Sequence, residues 1–122
     1  MADARILYCL TRDRELAGVL DERLPAAIAF FYNDTARLTQ AVALRAPDVV
    51  LVDTDAIRPE YGDAGLGPVF DFLRHRTPKA RLCVRPAPGA EVLVAAEAGV
   101  NVTLVPADRS ACVGAVLALV ST

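Results

Sequence analysis

Short apolar runs alternate with stretches of helical period along the whole chain. Ala4 to Thr11 (ARILYCLT) is mostly apolar and predicts a first strand that ends where Thr11-Arg12-Asp13 turns polar. From Arg14 to Leu24, Leu16, Val19, Leu20 and Leu24 fall at i, i+3, i+4 and i+8, one face of a helix that Asp13 caps and Pro25 stops. Ala26 to Tyr32 (AAIAFFY) predicts a second strand, and Asn33-Asp34 supplies capping chemistry for a helix through about Ala46. Pro47-Asp48 then opens the central run, in which Val49, Val50, Leu51 and Val52 close on Asp53. Four uninterrupted aliphatics suit a parallel strand covered on both faces.

The second half repeats the pattern. Thr54 to Gly67 holds three glycines, one proline and the acids Asp55, Glu60 and Asp63, and is expected to be a long, exposed, mobile loop. Pro68 to Arg76 predicts a helix with proline in its first turn and Val69, Phe70 and Leu73 inward. Ala80 to Val84 predicts a fourth strand, which the two prolines of Arg85-Pro86-Ala87-Pro88-Gly89 terminate by removing ladder donors. Ala90 to Ala98 predicts a fourth helix ending at Gly99, Val100 to Val105 a fifth strand broken by Pro106, and Asp108 or Ser110 the cap of a last helix to about Val120. The order (βα)5 implies a parallel five-stranded sheet with right-handed crossovers, an α/β flavodoxin-like three-layer sandwich in strand order 2-1-3-4-5. At this length, residues 1–122 are expected to form a single domain.

Composition narrows the functions. A net charge of −2 gives no electrostatic footprint for nucleic acid or an anionic membrane, so neither is an expected partner. The longest apolar run, Ala111 to Val120, is too short to span a bilayer, and the first residues lack the apolar core of a signal peptide; a cytoplasmic location is expected. Cys9, Cys83 and Cys112 are odd in number and widely spaced, which suits buried small hydrophobes rather than zinc ligands or disulfides. His75, between Arg74 and Arg76, reads as a solvated helical residue, and no metal site is expected.

Five βα units of this size, the segment PDVVLVD closing on Asp53, and the tail Ala98-Gly99-Val100-Asn101-Val102-Thr103-Leu104-Val105-Pro106 resemble the receiver domain of bacterial two-component response regulators. The resemblance spans the chain and implies a phosphoryl-accepting carboxylate at Asp53. It also implies Mg²⁺ held partly by two acids ending the first strand, a lysine after the fifth strand, a hydroxyl residue ending the fourth and an aromatic on the fifth. This chain departs from each. The acidic pair is replaced by Leu10 and Thr11, with Asp13 too far along and read as a helix cap. The hydroxyl position falls on Val84 or Arg85, the aromatic position on Thr103, and the lysine position on Val105 or Pro106. Lys79, the one lysine, precedes the fourth strand.

A carboxylate without its metal partners or cationic stabiliser is a poor phosphoryl acceptor. The chain therefore reads as a degenerate, or pseudo-, receiver: a non-enzymatic signalling module without cofactor. Arg85 is placed to form an ion pair with Asp53, with Arg12 as the alternative cation. Function is then expected on a surface. The last helix is apolar nearly all round; with Val113, Val116, Leu117 and Val120 inward, Cys112, Ala115 and Leu119 are expected outward. The resemblance makes the face of fourth helix, fifth strand and last helix the expected surface for a protein partner or a second copy. Two other readings stand beside this one: a receiver still phosphorylated on Asp53 in a phosphorelay, with Mg²⁺ held by a site rebuilt from Asp55, Glu60 and Asp63, and a flavodoxin-like small-ligand-binding domain. The second lacks a glycine-rich phosphate loop after the first strand.

Overall fold

The computed structural model describes residues 5–25, 28–61, 66–87, 89 and 102–121. Five strands, β1 (Leu7–Leu10), β2 (Ala29–Tyr32), β3 (Val49–Asp53), β4 (Arg81–Arg85) and β5 (Val102–Leu104), form one sheet in the order β2-β1-β3-β4-β5, every pair parallel. Five helices flank it among the described residues: α1 (Arg14–Arg23), α2 (Thr35–Leu44), α3 (Thr54–Tyr61), α4 (Leu66–Arg76) and α5 (Arg109–Ser121). The flavodoxin-like architecture and strand order expected from the alternation are present. The expected helix at Ala90 to Ala98 and its cap Gly99 lie outside the described residues.

Strand alternation divides the interior into two cores. Tyr8, Leu10, Val50 and Val52 face Leu38, Phe70 and Leu73, whereas Leu7, Cys9, Val49 and Leu51 face Leu16, Leu20 and Val116. All five residues of β3 are buried, the consequence of helices on both faces. Burial of each such aliphatic contributes about 2 kcal/mol against the entropy of ordering the chain.

Three expectations are corrected. Thr54 to Tyr61 is a helix rather than an exposed loop, because Ala56 and Ile57 are fully buried against the core of Val52 and Phe70. The three glycines lie beyond that helix, and α4 starts two residues earlier than proline placement suggested. Cys112 is not on an outer face: it is fully buried with Val113, Val116 and Val120. These buried positions recur at i, i+1, i+4 and i+8, while Ala111, Gly114 and Ala118 are exposed and Ala115, Leu117 and Leu119 half-buried. Finally, β4 extends through Arg85, which pairs in register with Asp53 before the proline interrupts the ladder.

Candidate functional site

The carboxyl ends of β1, β3 and β4 bring Thr11, Asp53 and Arg85 together, and the chain segments that follow β1 and β5 add Asp13, Ala107 and Arg109. Asp53 ends β3 with only 3% of its surface exposed. Its Oδ2 accepts from Thr11 Oγ1 at 3.0 Å and from Arg85 Nη1 at 3.1 Å, and its Oδ1 accepts from the Asp55 amide at 3.3 Å. Arg85 Nη1 also donates to Asp13 Oδ2 at 2.9 Å, while Nε and Nη2 both donate to the Ala107 carbonyl, at 3.0 and 2.9 Å. One guanidinium thus ties together the ends of β3 and β4, the start of α1 and the connection between β5 and α5.

Asp13 serves two purposes at once. Its Oδ1 accepts from the Glu15 and Leu16 amides as the N-cap of α1, and its Oδ2 accepts from Arg85 and from Arg109 Nε at 3.2 Å. Arg109 Nη1 reaches Glu15 at 2.9 Å on the exposed rim. Thr11 is an intermediary: its hydroxyl donates to Asp53 and accepts from the Asp13 amide at 3.0 Å. Arg12 donates through Nε to the Asn33 carbonyl.

The two carboxylates respond oppositely to this setting. Burial pushes the Asp53 carboxyl above its ordinary range, more strongly than the Thr11 hydroxyl, the Arg85 charge and the Asp55 amide pull it down. For Asp13 burial acts the same way, but hydrogen bonds from Arg85, the Leu16 amide and Arg109 outweigh it and hold the group at about 2. Burial also works against the Arg85 charge, yet Asp13 and Asp53 raise its affinity for the proton. Cys9 and Cys112 lie near this cluster, and burial raises both thiols, Cys112 to about 11.

The Mg²⁺ that the receiver resemblance implies does not fit this arrangement. The Oδ2 atoms of Asp13 and Asp53 both accept from Arg85 Nη1. A cation there has to displace a guanidinium already supplying the positive charge. No cluster of three metal-ligating side chains occurs among the described residues. Asp55 is exposed on α3, Glu60 lies farther along the same helix, and Asp63 falls outside the described residues.

The other positions singled out in the sequence scatter. Leu10 and Val84 are fully buried in the core, Val105 is buried at 3% exposure, Pro106 is exposed, and Thr103 is half-buried on β5. Asp13 and Arg109 are the participants the sequence reading missed. The signal for Arg109 was its place just beyond β5, whose carboxyl end opens on the same side of the sheet as that of β3.

No protein-family model matches the chain, and no curated protein does. Solved structures do. The N-terminal domain of an uncharacterized protein of Wolinella succinogenes superposes with a TM-score of 0.63 at 19% identity, over 96% of this chain and 94% of that one. A protein designated as a pilus assembly protein, CpaE, of Burkholderia thailandensis E264 superposes with a TM-score of 0.56 at 17% identity, over 98% of this chain and 100% of that one. What is shared is the fold. Function rests on the residues of this chain.

Proposed function

We propose that this chain is a pseudo-receiver, a signalling domain that works through protein interaction or dimerisation without phosphorylation of Asp53. The observation that carries the reading is the Arg85 guanidinium, which lies within 3.1 Å of Asp53 Oδ2 and 2.9 Å of Asp13 Oδ2. A receiver changes state when a phosphoryl group and a metal rearrange this end of the sheet; here an internal cation holds the same groups in one arrangement. Asp53 is nearly inaccessible to a phosphodonor, and its carboxylate, hydrogen-bonded at both oxygens, is a weakened nucleophile.

The surface for interaction is the β5–α5 face. Leu104 is 41% exposed, and with Ala115, Ala118 and Leu119 it lines a hollow of about 410 Å³. An apolar face of this kind suits a partner or a second copy. Incubation with acetyl phosphate and Mg²⁺, followed by intact-mass spectrometry under neutral conditions, tests the reading. The chain is expected to retain its unmodified mass; a phosphoryl adduct abolished by Asp53→Asn would refute it.

A further inference from the structure

At the β2 edge of the sheet, opposite the β5–α5 face, an open cleft of about 960 Å³ runs between α1 and α2. Arg14 lines it from α1, Phe31 and Tyr32 from β2, and Arg37 and Leu44 from α2. Asp34, Arg37, Gln40, Ala41 and Leu44 follow helical spacing, so the cleft extends along most of α2, about 15 Å at the rise of an α-helix. Leu44 also borders a second hollow of about 350 Å³, where Arg45, His75 and Arg76 are lining residues and no acid is.

The two hollows make a continuous band with a specific chemistry. Leu44, 89% exposed, is the residue the two hollows share. Arg12, Arg14 and Arg37 line the larger hollow and Arg45 and Arg76 the smaller, in a chain whose net charge is −2. Two acids border the band: Asp13 caps α1 and pairs with Arg85 and Arg109 outside it, whereas Asp34 caps α2 and pairs with Arg37 at 3.1 Å, which leaves Arg14, Arg45 and Arg76 as cations in excess over these two acids. Local excess positive charge on an acidic protein is a steering field for an anionic partner. The exposed leucine distinguishes among anions. A nucleic-acid backbone gains nothing from Leu44, and a bilayer surface does not enter a concave cleft beside a sheet edge.

We propose that this edge docks an acidic segment of a partner protein, with a large apolar residue of that segment seated against Leu44. The carboxylates pair with the arginine rim and the apolar anchor covers the leucine, a division between charged rim and apolar centre common to protein interfaces. This surface lies at the opposite edge of the sheet from the β5–α5 face, and its cleft reaches Thr11 and Asp13 at the border of the Asp53 cluster.

The test uses the whole chain and defined probes. The probes are a fluorescein-labelled peptide of alternating glutamate and leucine, an all-glutamate peptide of equal length, duplex DNA, and phosphatidylcholine vesicles containing phosphatidylserine. The glutamate–leucine peptide is expected to bind saturably and to shift the amide resonances of Arg14, Arg37, Leu44 and Arg45. Affinity should fall about tenfold or more in the doubly substituted Arg37→Glu, Arg45→Glu protein, whose altered residues are exposed. Leu44→Ser should weaken the glutamate–leucine peptide about tenfold while leaving the all-glutamate peptide nearly unchanged. Three outcomes overturn the proposal: no saturable shift at millimolar peptide, equal binding by the charge-reversed protein, or tighter occupation of the same residues by DNA or vesicles.

Discussion

Arg85 and Asp53 are register partners on adjacent parallel strands, and their side chains meet at 3.1 Å with only 13% and 4% of their surfaces exposed. Removing one member of a buried pair leaves the other charge uncompensated, which costs more than the pair itself contributes. Arg85→Met is therefore expected to destabilise the fold by about 3 kcal/mol at neutral pH. Urea unfolding measures it. Adding Asp53→Asn to that background should recover part of the loss, and strict additivity of the two substitutions would show that the groups are not coupled.

The depressed carboxyl of Asp13 sets a pH window. Its folded value of about 2 lies below the ordinary 3.8, so its contribution is fully present above 3.8 and is lost as pH falls toward 2. That contribution is about 2 kcal/mol. Asp53, shifted upward, has the opposite sign: its protonation on acidification favours the folded state and does not add to the loss. Asp13→Asn keeps a competent helix cap but removes the charge. Stability of the variant should decline less than that of the wild type across this window, as urea midpoints at successive pH values will show; superimposable profiles would contradict the assignment.

The cysteines report on the phase of α5. Cys9, Cys83 and Cys112 are all fully buried, and burial raises the Cys83 and Cys112 thiols to about 11. Ellman's reagent at neutral pH should leave all three unmodified in the native protein and titrate them after urea unfolding. Rapid native labelling at Cys112 would place it on the surface instead.

Self-association through the β5–α5 face predicts a mass that rises with concentration in light scattering. Leu119 is half-buried against the second core and borders the hollow below Leu104. Leu119→Glu should shift the population toward monomer at a stability cost of about 1 kcal/mol. A wild type that is monomeric throughout the accessible concentrations rules out this mode and leaves the face to a different protein.

Much of this arrangement was legible in the sequence because parallel strand order converts linear position into adjacency. Once PDVVLVD and RLCVR were neighbouring strands, Asp53 and Arg85 had to end near one another. Asp13 was misjudged because its capping role already explained an aspartate at that position; that one carboxylate caps with Oδ1 and pairs with Oδ2 depends on the angle at which α1 leaves the sheet. Helix α3 was hidden because Asp55, Pro59 and the following glycines outweighed the short apolar pair Ala56-Ile57. A helix apolar nearly all round gives its periodicity no phase, so the inward position of Cys112 is not legible in the pattern. Contacts with α1 and β3, not the pattern itself, decide which side is inward.

The most direct test of the central claim is an amide-resolved titration of the isotopically labelled chain with Mg²⁺ and beryllofluoride, a mimic of the aspartyl phosphate. With Arg85 held between Asp53 and Asp13, the resonances of Thr11, Asp13, Asp53, Thr54, Asp55 and Arg85 are expected to remain in place up to millimolar ligand. Saturable shifts at those residues, lost in Asp53→Asn, would show a working phosphoryl site and contradict the pseudo-receiver account.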